Sequence, residues 1–296
     1  MIGDESASVA AGRRRGRGAV SNRVGRFEAL ARLPVDDGWD RDEDLPPLRT
    51  EVAVDASRGV IAWNASPDVP FDRSINPYRG CEHGCVYCFA RPGHAFLGLS
   101  PGIDFETKLT AKPDAPRLLA EALARPGYRP ATIAIATNTD PYQPVEKRLR
   151  IMRGVLEVLA EARHPVAVVT KGALVERDAD ILGAMGRAGL ARVGISLTTL
   201  DRGLARAMEP RAAAPERRLA AIRALAAAGC PVRVMVAPVI PGLTDAELER
   251  LLAAARDAGA TAAGYVVLRL PGEVVGLVRE WLEAAFPGRA ARVMRA

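Results

Sequence analysis

From residue 75 onward the chain alternates between two apolar patterns. Short β-type runs fall at 132–136, 166–170, 193–197, 232–236 and 265–268. Between them apolar residues recur at helical spacing: Leu149, Met152, Val155, Leu156 and Leu159; Ile181, Leu182 and Met185; Leu219, Ile222 and Leu225; Leu248, Leu251, Leu252 and Ala255. The last of these helices is predicted to open with a capping box, Thr244 with Glu247. Three helices end in Ala-Gly, which predicts left-handed backbone at Gly189, Gly229 and Gly259. Strand-helix alternation means parallel strands joined by right-handed crossovers. Near-continuous apolar strands fit a sheet covered on both faces. Five runs, with one more implied before Gly80, make six strands, short of the eight of a closed barrel. The expected fold is therefore α/β, a partial TIM-like (β/α)6 barrel, with an open doubly wound sheet as the alternative. Both place chemistry at the C-terminal ends of the strands.

The chain before this region has a different character. Residues 1–50 hold nine Arg and nine Asp plus Glu, with the arginines (Arg13, Arg14, Arg15, Arg17) leading and the acids (Asp36 to Asp44) following. So few apolar residues interrupt them that a disordered or loosely packed extension is expected. An arm that touches nucleic acid, or one packed on the body, is the alternative. Residues 51–70 are strand-like (Glu51-Val52-Ala53-Val54, then Val60-Ile61-Ala62-Trp63) and read as a lead-in hairpin or cover. The core unit is 71–296. Its end, 290–296, reads as mid-helix, so the chain is expected to be cut short there.

Composition narrows the class. With 296 residues the chain can bury one large core or two small ones. No apolar run of about 18 residues occurs, so no membrane-spanning helix is expected. The stretch from Met1 to Arg17 lacks an apolar signal region, which makes the reducing cytoplasm the expected compartment. The net charge of +6 permits nucleic-acid contact but, without a clustered basic face, does not argue for it.

Three of the four cysteines share one loop: Gly80-Cys81-Glu82-His83-Gly84-Cys85-Val86-Tyr87-Cys88-Phe89, spaced Cys-x3-Cys-x2-Cys. Structural zinc asks for four ligands, and the candidates for the fourth are His83, His94 and Cys230. An iron–sulfur cluster normally takes four thiolates, so three leave one iron open to bind a ligand.

The spacing, with the aromatic Tyr87 and the barrel context, resembles the radical S-adenosylmethionine (SAM) superfamily. The segments NASPDVP (64–70), SINPYRGCEHGCVYCFA (74–90), NTDPYQP (138–144), MEPR (208–211) and APVIP (237–241) resemble a bacterial subfamily related to spore photoproduct lyase. The resemblance implies a [4Fe–4S] cluster on Cys81, Cys85 and Cys88, with SAM bound at the open iron. One electron would then cleave SAM to a 5′-deoxyadenosyl radical, which abstracts hydrogen from a substrate. It further implies SAM contacts from Tyr87, Asn138, Thr139, Asp140, Lys171, Ser196, Ala237 and Ile240. An electron donor such as flavodoxin or ferredoxin is the implied partner. The sequence also departs from the lyase: the second-strand segment, 132–139, has no cysteine, and Phe89 stands where the lyase has a tyrosine. Splitting of the thymine lesion by the lyase's route is therefore not expected, and the substrate stays open, DNA among the candidates. Rival readings are a cluster- or zinc-containing nucleic-acid-binding protein without catalysis, a simple electron carrier, and a DNA lesion lyase.

Overall fold

The computed structural model describes residues 8–28 and 46–295. Its strands, in chain order, are β1 (Glu51–Val54), β2 (Ile61–Trp63), β3 (Arg73–Ile75), β4 (Tyr78–Arg79), β5 (Lys108–Ala111), β6 (Ile133–Ile135), β7 (Val166–Thr170), β8 (Ala191–Ser196), β9 (Val232–Val239) and β10 (Ala262–Val267). All five apolar runs form strands, and β3 is the implied sixth. These six lie parallel in the order β10-β9-β8-β7-β6-β3, and β2 adds antiparallel to β3 at the edge. The two outer strands do not pair, so the barrel stays open, as the fold expectation holds.

The helices sit where helical spacing placed them, at Ile151–Glu161, Ala179–Arg187, Pro215–Ala227 and Leu248–Asp257. In the first, Met152, Val155, Leu156 and Leu159 are fully buried against the sheet, each contributing about 1.5–3 kcal/mol. Gly189, Gly229 and Gly259 take positive φ, as the helix ends predicted. The capping box does not form. Thr244 Oγ1 instead accepts from Ile240 N at 2.8 Å, and Glu247 reaches across to Thr199 Oγ1 and Leu200 N. The loop after β8 offers that carboxylate two donors, and they win over the helix's own first turn.

Two further expectations need correction. Segments 51–54 and 61–63 are strands but not a hairpin. β1 joins a separate sheet, β1-β5-β4, whereas β2 joins the barrel edge. Asp55 turns the chain there: its N–H donates to Ala111 O at 2.8 Å and its carboxylate meets Arg79 and Lys112. The sheet is also not covered throughout, because β10 is largely exposed on both faces. The helix after it, Val274–Ala285, packs elsewhere, against Val86, Tyr87 and Met208.

Residues 8–28 of the N-terminal extension lie along the body rather than free of it; 1–7 and 29–45 fall outside the described residues. Ala19 packs with Ile103 and Leu277, and Ser21 Oγ donates to Glu280 at 2.6 Å. Arg26 forms a fork on Glu273, at 2.8 and 2.7 Å. That fork holds the Glu273 carboxyl down at about 2. A depressed carboxylate stabilises its partner above its ordinary range, and the effect is lost as pH falls through the depressed value. Protection of the amides across 8–28, relative to their intrinsic exchange rate at each pH, is therefore expected to be high above about pH 4.5 and to fall toward pH 2. Glu273→Gln should flatten that dependence; an unchanged profile would remove the pair as the arm's tether.

Candidate functional site

The cysteine loop follows β4, and its neighbours hold it by hydrogen bonds from several directions. Gly80 and Gly84 take φ of +74° and +68°. A Cβ on Gly84 would stand 2.7 Å from Glu106 Oε2, so the close approach and the backbone both demand glycine. Cys81 N donates to Phe105 O at 2.9 Å. Gln143, fully buried, accepts from Glu82 N at 2.8 Å and donates to Gly80 O at 3.2 Å. Arg91 donates to Cys85 O at 2.9 Å and pairs with Glu106 at 2.5 Å, both ions being buried. Glu106 also accepts from Gly18 N and Ala19 N, each at 2.8 Å, so the N-terminal arm completes the loop's backing.

All four cysteines are free. Cys81, Cys85 and Cys88 line one cavity of about 800 Å³ at the C-terminal ends of the strands. Tyr87, Asn138, Thr139, Asp140, Lys171, Ser196 and Ala237 line it too. Ile240 does not: it is buried with Val274, Val278 and Trp281 beneath the helix Val274–Ala285. His83, Phe89, Met235 and the exposed Arg269 also face the cavity.

Several polar residues at the strand ends are occupied in building the site. Asp140 Oδ1 accepts from Thr170 Oγ1 at 2.6 Å and Tyr142 N at 2.9 Å, while Oδ2 accepts from Lys171 N at 2.7 Å. His83 Nδ1 stands 3.3 Å from Oδ2 without hydrogen-bond alignment. Burial pushes the Asp140 carboxyl up, but His83, Lys171 N and Thr170 outweigh it and hold the group at about 2. Asp140 therefore ties β6, β7 and the cysteine loop together. Thr139 Oγ1 donates to Tyr78 O at 2.9 Å, and Asn138 N donates to Asn76 Oδ1 at 2.9 Å, leaving the Asn138 side chain toward the cavity.

Lys171 projects its ammonium to 5.8 Å from the centre of the Tyr87 ring. Burial pulls its pKa down, yet Cys85 and Glu209 more than compensate, so the cation persists. The Tyr87 hydroxyl donates to Glu209, which also accepts from Thr198 Oγ1 at 3.1 Å and pairs with Arg218. Arg218 in turn donates to Ser196 O at 3.0 Å and Ala213 O at 2.7 Å. Met208 O accepts from Val86 N at 3.1 Å, and Arg211 pairs with Glu82 at 3.0 Å. The MEPR segment therefore clamps the cysteine loop from the β8 side. In the sequence, Glu209 and Arg211 are marked only as part of the MEPR segment, and there is no signal for Arg218, Arg91 or Glu106.

Burial pushes the Cys81 and Cys85 thiols up, so ionising them needs a cation brought to them, which is what a coordinated metal supplies. Among the described residues no three His, Cys, Asp or Glu side chains are grouped to hold a single metal ion. A polynuclear cluster instead takes each thiolate at a different iron. Cys230, the remaining thiol, is buried just before β9, at the opposite end of the barrel. The loop thus offers three thiols and fits a cluster with one protein ligand short of four.

Comparison with known proteins agrees with this geometry. An uncharacterised protein of Mycobacterium tuberculosis is 41% identical over 282 residues, covering 89% of this chain and 82% of its own. A probable GTP 3′,8-cyclase of Methanopyrus kandleri is 33% identical over 162 residues, 53% of this chain and 44% of that one. Among solved structures, spore photoproduct lyase complexed with a dinucleoside spore photoproduct superposes with a TM-score of 0.54 at 19% identity. That match covers 80% of this chain and 66% of the lyase, just under two thirds of its length, and at such identity it speaks to the fold alone. Residues 75–255, well over half the chain, match the radical SAM superfamily, which in general uses SAM and an iron–sulfur cluster. The chain belongs to the radical SAM superfamily of enzymes.

Proposed function

We infer that the chain holds a [4Fe–4S] cluster on Cys81, Cys85 and Cys88 and uses it to cleave SAM reductively. The observation that carries this is three thiols of one loop facing a single cavity at the C-terminal ends of six parallel strands. Held by Cys81, Cys85 and Cys88 and reduced by one electron, such a cluster would supply the reductive cleavage of SAM to methionine and a 5′-deoxyadenosyl radical able to take hydrogen from a substrate.

The chain's own residues bind and orient. Lys171 is the cation for the SAM carboxylate or ribose, and Asn138 offers its free amide to the SAM amine. Tyr87, Ser196 and Ala237 flank the nucleoside. Asp140 and Thr139 act one step back, holding those strand ends by the bonds described above. Much of the rest of the cavity lining is apolar (Val69, Val169, Met235, Val266, Leu268). An external one-electron donor of the flavodoxin or ferredoxin kind, and a cytoplasmic setting that keeps the thiols reduced, complete the reading. Among the described residues no helix is long and apolar enough to cross a membrane.

Anaerobically reconstituted protein given dithionite and SAM is expected to yield 5′-deoxyadenosine by mass spectrometry, with a change in the EPR of the reduced cluster on adding SAM. An intact cluster that gives neither would overturn the reading.

A further inference from the structure

A second cavity, of about 450 Å³, lies at the other end of the barrel. Its place follows from register: Trp63 of β2 pairs with Arg73, the first residue of β3, whereas the cysteine cavity lies beyond the strands' last residues. Its walls are β2, the helix Ala115–Leu123 and the turn 125–129. Trp63 is 65% exposed, an unusual position for the largest apolar side chain.

Trp63 is also held in place. The Arg73 guanidinium lies 4.7 Å from the centre of its ring and 5.5 Å from that of Tyr128. Arg73 is itself buried and fully engaged. It forks onto Asp72 at 2.7 and 2.8 Å, and donates to Tyr128 Oη at 3.2 Å and Arg129 O at 2.6 Å. One side of the indole is thus backed by a fixed cation, and the rest remains open. Around the rim stand the exposed Arg58, Arg125 and Arg129, none paired with a carboxylate among the described residues. The acid in the lining, Glu121, is taken by Arg117 at 2.7 Å.

A fixed, open aromatic beside unpaired guanidinium forks suits a ligand with a planar ring and a phosphate. We propose that this cavity is a nucleotide site, with the base stacked on Trp63 and the phosphate held by Arg58, Arg125 and Arg129. The same chemistry is offered by a free mononucleotide and by one unit of a single-stranded nucleic acid. The site is independent of the cysteine cavity and does not rest on its assignment.

The test titrates the full chain by calorimetry with AMP and with a deoxythymidine decamer, each at several salt concentrations. Binding is expected to weaken about tenfold or more in Trp63→Ala, and to survive largely in Trp63→Phe, because the stack accounts for most of the base contribution. Arg58→Ala and Arg125→Ala, both at exposed positions, should each weaken it severalfold and serve if Trp63→Ala does not fold. AMP binding with weak salt dependence identifies the free nucleotide. Binding of the decamer alone, falling steeply with salt, identifies the strand. No binding of either probe overturns the proposal. So does AMP binding that Lys171→Ala weakens and Trp63→Ala leaves intact, because the nucleotide would then lie in the cysteine cavity.

Discussion

Alanine at Cys81, Cys85 or Cys88 is expected to abolish iron incorporation and SAM cleavage while leaving the barrel folded. The separation is built into the structure. The main core lies between the sheet and its helices, and the three cysteines are outside it. The loop's shape comes from Gln143, Phe105, Arg91 and Met208, whose bonds go to backbone groups rather than to sulfur. Losing one sulfur from a small buried side chain costs on the order of 1–2 kcal/mol, a shift of a few degrees in Tm for a chain of this size. Losing one of three thiolates from a cluster already short of a fourth removes the ligand set itself. Iron content, the visible absorbance of the reconstituted protein and 5′-deoxyadenosine yield read the first effect; thermal unfolding by circular dichroism reads the second. Cys230→Ala is the control: that thiol is at the far end of the barrel, so its iron and product yield should match the unsubstituted chain. Full SAM cleavage in any of the three loop variants would sink the assignment.

Which parts of this were legible in advance follows from how local each determinant is. Helical spacing and Ala-Gly ends are local, so the crossover helices and their left-handed caps could be read directly. The cysteine spacing is local as well, and the strand-end residues follow once the strands are placed. The capping box failed because Glu247 has better donors 47 and 48 residues away, at Leu200 and Thr199. The arm at 8–28 reads as unstructured because its partners, Glu106, Glu273 and Glu280, lie far along the chain. Ile240 was placed beside the nucleoside by its position after β9, yet the apolar helix Val274–Ala285 needed a surface to bury against and took it. The support of the loop is the least legible part, since Arg91–Glu106 and Glu209–Arg218 are ordinary charged residues until the fold brings each pair inside.

That support carries the other large expected effect. Glu209→Gln should lower Tm by about 10 °C and weaken SAM binding more than it reduces iron content. Both Glu209 and Arg218 are buried. Burial alone would push the Glu209 carboxyl up, but Arg218 and Lys171 outweigh it and keep the group ionised. Removing one member of such a pair leaves the other charge buried without its counterion, which costs about 3–5 kcal/mol. At roughly 2–4 °C per kcal/mol in larger domains, this gives the stated shift. Arg218→Met should cost a similar amount, because Glu209 would lose its direct ion pair and keep the Tyr87 and Thr198 hydroxyls and the more distant Lys171 ammonium. The double variant should cost clearly less than the two singles added together, since neither ion is then left unpaired. The cofactor effect runs through Tyr87 and Lys171. Glutamine still accepts a hydrogen bond from the Tyr87 hydroxyl, but it no longer balances the Lys171 ammonium, so the cavity becomes more cationic while the thiols stay in place. Strictly additive singles with unchanged SAM affinity would show that the two side chains do not act as a pair and that the MEPR segment supports the loop through its backbone alone.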